Sequence, residues 1–309
     1  MRDERRQKDL EITVRYPLID ADAADRFPLV VFSHGAGGSR AAFPDLTSHW
    51  AGHGYIVVLP THSDSIELRR RKGEDLSCLA RDLSSLVRDV RPLDRLADVV
   101  FLLDSIGTME GRIPGLRGKD GAGRVDRERI GMAGHSAGAL TTQMAAGVKV
   151  RGVTPGAMFE ARSVGDPRID AAILISGQGT TSRLFTDQSW NELSKPLLVI
   201  TGSKDYAAIS NETPASRREP FEKAKPGDKY LVFIEGATHS SYQGRGPAAR
   251  LDREQPSDAE LKMITSVTAA ATLAFLDIYL KDDKGARAYL ESEALLAAFS
   301  GKKATLERK

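Results

Sequence analysis

The chain has 309 residues, 41% apolar and 28% charged, a mixture that supports a sizeable buried core and excludes a disordered chain. Basic residues number 44 and acidic ones 42, and the formal charge of +2 is too balanced for a nucleic acid or an anionic membrane to be the main partner. The only cysteine, Cys78, excludes an intrachain disulfide and a multi-thiolate metal site, and no run of about 18 to 20 apolar residues marks a membrane span.

The opening MRDERRQKDLEITV is charged from its second residue and has neither the apolar segment nor the cleavage site of an export signal, so a cytoplasmic chain is expected. Residues 11–16 (EITVRY) alternate as a strand does, and Pro17 ends them because proline cannot donate to a ladder. Residues 29–33 (LVVFS) form a continuous apolar run, the pattern of a strand buried on both faces of a parallel sheet. The pattern returns at 55–59 (YIVVL), 129–133 (RIGMA), 171–175 (AAILI), 196–201 (PLLVIT) and 230–234 (YLVFI). Helical patterns fall between and after the strands, at about 41–52, 78–106, 137–146, 214–224 and 258–281. This alternation predicts one α/β domain over 1–309, with a mostly parallel central sheet flanked by helices on both faces. Residues 61–92, with the charged run Arg69 to Lys72, are a candidate lid or insertion. Residues 147–168 read as a loop, and 258–309 as a C-terminal helical tail.

Ligands of open parallel sheets bind beyond the carboxyl ends of the strands. After the run at 129–133 comes Gly134-His135-Ser136-Ala137-Gly138, a G-x-S-x-G sequence between a strand and a small-residue helix start. Such a turn holds the serine hydroxyl above the sheet and points helix N–H groups at charge developing there. Ser136 is therefore the candidate nucleophile. A serine hydroxyl needs a base held by a third group. His239, after the last predicted strand, is the one histidine downstream of Ser136. Asp205, at the end of Gly202-Ser203-Lys204-Asp205, is the candidate acid, with Asp187 the alternative. The candidate oxyanion donors are the N–H of Ala137 and that of Ala36 in Ser33-His34-Gly35-Ala36-Gly37-Gly38. That glycine-rich string lacks the spacing of a dinucleotide loop and the lysine of a phosphate loop.

The pocket candidates are His62, together with Asp64 beyond its strand, His135 beside the nucleophile, and Trp190, which reads as a packed helix residue more than as a stacking platform. His34 is expected to shape its own loop. His49 and His53 share a helix face, but without the glutamate of H-E-x-x-H they read as a helix end, so no metal site is expected. Cys78 reads as a small buried or half-buried hydrophobe.

The strings FPLVVFSHGAGGSR, GHSAG, TGSKD and GDKYLVFIEGATH resemble the α/β-hydrolases of the dienelactone hydrolase-like clan. Within it they are most similar to predicted dienelactone hydrolases that look like platelet-activating-factor acetylhydrolases, chlorophyllases and polyester-degrading cutinase-like enzymes. The resemblance covers most of residues 10–282 and implies an α/β-hydrolase fold. It also implies cofactor-free hydrolysis of small-molecule or polymeric carboxylic esters through Ser136, Asp205 and His239, with Ala36 and Ala137 as oxyanion donors. Dienelactone hydrolases proper carry a cysteine nucleophile, so Ser136 argues against lactone opening. Relatives often carry a leading strand and an export signal ahead of the segment matching RDERRQKDLEITVRYP, which implies a longer, secreted or periplasmic natural product. Short-chain acyl esters are the expected substrates, since no long apolar lid helix stands out. An amidase or peptidase using the same triad, and a non-catalytic hydrolase-fold binding protein, are the alternatives. Nothing in the sequence assigns an oligomeric state.

Overall fold

The structure is a computed structural model, and it describes all residues except 19–24, 83, 152–160, 183, 207–209, 247–248, 250–251, 253 and 293. Part of the loop expected at 147–168 therefore lies outside the described residues. The seven apolar runs become strands β1 (Ile12–Arg15), β2 (Phe27–Ser33), β3 (Ile56–Pro60), β4 (Val125–His135), β5 (Ala171–Ile175), β6 (Leu197–Lys204) and β7 (Lys229–Thr238). An eighth, β8 (Ala304–Arg308), completes one sheet in the order β8-β7-β6-β5-β4-β2-β3-β1. The neighbours from β2 to β7 pair parallel. The two edges are antiparallel: β1 sets Val14 opposite Val58, and β8 sets Leu306 opposite Val232.

Alternate side chains of the buried strands serve two cores, as the pleat requires. Leu29 and Val31 pack in one cluster with Leu96, Val99, Leu102, Leu140 and Met144, while Val30 and Phe32 pack in the other with Trp50, Ile264, Val267 and Ala271. The helices that supply these layers are α1 (Pro44–Gly52), α2 (Ile66–Arg71), α3 (Pro92–Asp104), α4 (Ala137–Ala145), α5 (Pro214–Lys223) and α6 (Asp258–Lys281). Of these, α3 and α4 lie on the first face and α1 and α6 on the second.

The longest helix, α6, begins with a capping box in which Ser257 and Glu260 each bond the other's backbone N–H. By length and composition it is apolar enough to cross a membrane. Here Ile264, Val267, Ala271 and Phe275 are buried, and its Thr272 accepts a 3.0 Å hydrogen bond from Trp50 Nε1 of α1.

Two expectations are corrected. The continuous helix expected over 78–106 is broken into Ser77–Arg81, Ser85–Arg88 and α3, with Ile106–Arg112 following. Pro92 at the first turn of α3 accounts for one break, because the residue before a proline is pushed out of the helical region. The expected helical tail instead comprises α6, Lys284–Glu291 and Ala294–Ser300, and ends in strand β8.

Candidate active site

β4 ends at His135 and α4 begins at Ala137, leaving Ser136 as the single residue of the turn, with φ 54° and ψ −120°. That conformation is costly for a residue with a Cβ and persists only where its surroundings impose it. The neighbouring glycines explain how. A Cβ at Gly138 would lie 1.9 Å from the Ser33 carbonyl oxygen, and one at Gly134 would lie 2.3 Å from that of Gly138. Only bare backbone lets α4 and the end of β2 close around the serine.

Ser136 Oγ is 3.0 Å from His239 Nε2, and His239 Nδ1 is 3.0 Å from Asp205 Oδ1. The serine is half-buried, the imidazole 12% exposed and the carboxylate fully enclosed. Asp205 also accepts bonds from Ser176 Oγ (2.7 Å), Thr201 Oγ1 (2.9 Å) and Tyr242 Oη (3.1 Å). Burial opposes its ionisation, but the Arg217 guanidinium, His239 and the Ser176 hydroxyl outweigh it and hold the carboxyl well below the usual range. An ionised carboxylate only accepts, so the proton of a neutral His239 sits on Nδ1 and Nε2 is left to accept from the serine hydroxyl.

The loop after β2 meets the nucleophile from the other side: a Cβ on Gly35 would lie 3.6 Å from Ser136 Cβ. Ala137 is the first residue of α4, where an N–H has no acceptor within the helix. The 61–92 segment rests on this loop. Ile66 N–H donates to the Gly37 carbonyl at 3.0 Å, and Ile66 and Leu86 side chains crowd the space beside Gly37.

The structure thus brings Ser136, His239 and Asp205 into one hydrogen-bonded chain, with the loop of Ala36 and the start of α4 beside it. It does not place the three pocket candidates in a pocket. His62 is fully buried, accepting from Ser33 Oγ at 2.9 Å and donating from Nδ1 to Asp98 at 2.8 Å. His135 is buried with its Nε2 2.7 Å from the His239 carbonyl oxygen and its ring tilted against that of His239, centroids 4.9 Å apart. Burial and the nearby His239 lower its pKa to about 3. Trp190 is a core residue, bonded to Gln143 Oε1 at 2.8 Å and packed on Phe185. Asp64 is also interior, paired with Arg95.

Asp187 is exposed and pairs with Lys223 at 2.7 Å, while His239 bonds Asp205. His53 Nδ1 donates to the His49 carbonyl at the end of α1, as expected of a helix end, and no cluster of metal-ligating side chains is present among the described residues. Cys78 is exposed, not buried. Sequence reasoning missed Ser176, Arg217, Tyr242 and Arg95. Only Ser176, one residue past β5, carried a positional signal.

A mostly parallel sheet with helices on both faces, a serine elbow after β4 and the partners of that serine after β6 and β7 define an α/β-hydrolase fold. The family model described as "Platelet-activating factor acetylhydrolase, isoform II" matches residues 15–68, which run from the end of β1 through the glycine-rich loop and β3 into α2. No curated protein sequence matches the chain. Among solved structures, a ferulic acid esterase from Streptomyces cinnamoneus is similar in fold, with a TM-score of 0.56 and 23% identity, covering 93% of this chain and 75% of that one. The family match together with the hydrogen-bonded serine, histidine and aspartate points to carboxylic ester hydrolysis.

Proposed function

We propose that the protein is a serine carboxylic ester hydrolase that works through an acyl-enzyme. The observation that carries this reading is the continuous chain from Ser136 Oγ through His239 to Asp205, with both links at 3.0 Å. Ser136 Oγ attacks the ester carbonyl carbon while its proton passes to His239 Nε2. The N–H groups of Ala36 and Ala137 receive the oxyanion. The C–O bond to the alcohol then breaks, and His239 returns the proton to the leaving oxygen. Water repeats the sequence on the acyl-enzyme, giving the carboxylate and free Ser136. Asp205 remains ionised throughout and steadies the imidazolium. No metal or organic cofactor enters these steps.

The substrate class proposed is short-chain acyl esters. The half-exposed serine supports it, as does the packing of 61–92 against the Gly37 flank, where the segment forms a wall beside the loop. Labelling with a fluorophosphonate and peptide mapping tests the nucleophile, and p-nitrophenyl esters of rising chain length test the substrate class. Modification at Ser136, loss of labelling and turnover in Ser136→Ala, and a rate maximum at short acyl chains are expected. Near-native turnover by a folded Ser136→Ala protein overturns the assignment. Comparing an ester with an anilide of the same acyl group separates an esterase from an amidase, and release of soluble products from a polyester film tests polymer cleavage.

A further inference from the structure

A second fully buried cation near the site, besides Arg217, is the Arg95 guanidinium, which the proposed chemistry does not use. It reaches from α3 to the glycine-rich loop with its side chain 1% exposed, beside Asp64 at 2%. Its Nε and Nη2 grip the two Asp64 oxygens at 2.9 and 2.7 Å, a bidentate pair. Nη1 donates to the His34 carbonyl at 2.7 Å and to Ser33 Oγ at 3.4 Å, and Nη2 also to the Gly35 carbonyl at 3.2 Å. Asp64 Oδ2 in turn accepts the Gly37 N–H at 3.0 Å.

The Gly35 carbonyl is the most heavily bonded group of the loop. Besides Arg95 it accepts from the Gly38 N–H at 3.1 Å and from His34 Nδ1 at 2.6 Å. The His34 tautomer follows from its other nitrogen, because His62 N–H donates to His34 Nε2 at 3.0 Å and so leaves the ring proton on Nδ1. Among the described residues there is no cis peptide bond. In a trans peptide the C=O and the following N–H point in opposite directions. Anchoring the Gly35 oxygen on the interior side therefore turns the Ala36 N–H to the other side of the loop. With the Gly37 and Gly38 amides already committed to Asp64 and Gly35, Ala36 supplies the donor still available to a ligand.

The geometry points to Arg95, paired with Asp64, as the positioning residue that presets the Ala36 N–H for the oxyanion. This rests on the esterase reading and extends it to the residue that prepares the site. Burying an ion pair costs desolvation that an apolar pair of similar volume avoids. What the guanidinium supplies and an apolar residue cannot is a planar set of donors that holds two successive carbonyls and a carboxylate together. The pair is neutral overall, so its effect on catalysis is orientation and not added charge.

Removing Arg95 alone would leave Asp64 buried without its partner and threaten folding. The test is therefore the double variant Arg95→Met with Asp64→Asn, whose amide oxygen can still accept the Gly37 N–H, beside the single variant Arg95→Lys, which keeps the charge but loses the fork. Cooperative melting establishes that each is folded. For a short-chain p-nitrophenyl ester, kcat is expected to fall about 100- to 1,000-fold, the worth of one oxyanion donor, with KM changed less than about threefold. Affinity for a boronic acid, which forms a tetrahedral adduct on the serine, should fall by the same factor as kcat/KM.

Wild-type kcat in the folded double variant overturns the proposal, as does wild-type kcat in Arg95→Lys, which remains decisive if the double variant does not fold. A raised KM with unchanged kcat also overturns it. Failure of the esterase reading itself looks different, because the wild-type protein would then not be modified at Ser136 by the fluorophosphonate.

Discussion

Arg217 Nε lies 2.9 Å from Asp205 Oδ1 and 2.9 Å from the Asp205 backbone carbonyl, so one buried guanidinium holds both the side chain and the main chain of the acid that orients His239. Its Nη1 extends the hold to the carbonyls of Ser176 and Gly177 at 2.6 and 2.9 Å. The loops after β5 and β6 are thereby tied to α5. Replacing Arg217 with Met leaves Asp205 buried without its cation, and a destabilisation of about 3–5 kcal/mol is expected in urea unfolding. The acid limb of the kcat/KM profile should also move to higher pH. Asp205 is held below its usual pKa, chiefly against burial, by Arg217, and losing that partner makes the carboxyl easier to protonate.

Asp205→Asn and Asp187→Asn distinguish the two acids weighed from sequence. The first is expected to lower kcat by about 10⁴-fold with the fold intact, because an amide can leave the imidazole in the wrong tautomer. The second removes an exposed partner of Lys223 and should leave kcat unchanged. Equal effects of the two substitutions on ester turnover would contradict the assignment of Asp205.

Ser176 lies between base and acid, with Oγ 2.7 Å from both His239 Nδ1 and Asp205 Oδ1, and it has φ 54°. Ser176→Ala loses the hydroxyl but keeps the left-handed strain, whereas Ser176→Gly loses the hydroxyl and relieves the strain. Both should lower kcat several-fold, in line with a hydrogen bond worth about 0.5–1.5 kcal/mol. The alanine variant should melt at the lower temperature. Undiminished kcat in both would mean that the hydroxyl does not help to place the imidazole.

His34, His62 and His135 are buried, and burial lowers the pKa of each, that of His135 to about 3. In the unfolded chain they titrate near 6.5, so below that pH the unfolded state binds more protons than the folded one. Their contribution is complete above about pH 6.5 and is lost as pH falls toward the folded values, at up to about 1.4 kcal/mol per pH unit for each. The depressed carboxylates Asp64 and Asp205 add a further loss only below about pH 4. Urea midpoints should therefore fall between pH 7.5 and pH 5, and a midpoint that stays flat over that range would show the buried rings to be accommodated in their charged form.

Much of the fold could be read from the chain itself. Continuous runs such as LVVFS and AAILI have only one good use in a mixed α/β chain, as strands covered on both faces, and the seven strands expected from them are present. The order of motifs along the chain also singled out Ser136, His239 and Asp205, because residues just beyond strand ends share one edge of a parallel sheet. The polar strand β8, with sequence ATLER, carries no such pattern. It exists because the edge of β7 offers unpaired backbone groups, and that edge is visible only once the sheet has formed.

Local sequence therefore determined which segments are strands and where the serine elbow falls, since β-branched runs and glycine spacing act over a few residues. Tertiary structure alone decided which polar side chains are interior. His62 and Asp64 follow a strand and read as rim residues, yet His62 bonds inward to Asp98 and Asp64 pairs with the buried Arg95. Arg95 and Arg217 sit in helices where an arginine ordinarily faces water. Their burial was set by Asp64 and Asp205, and by carbonyls as much as 61 positions away in the chain. A charged group can leave water only when such partners surround it, and that enclosure is a property of the assembled fold.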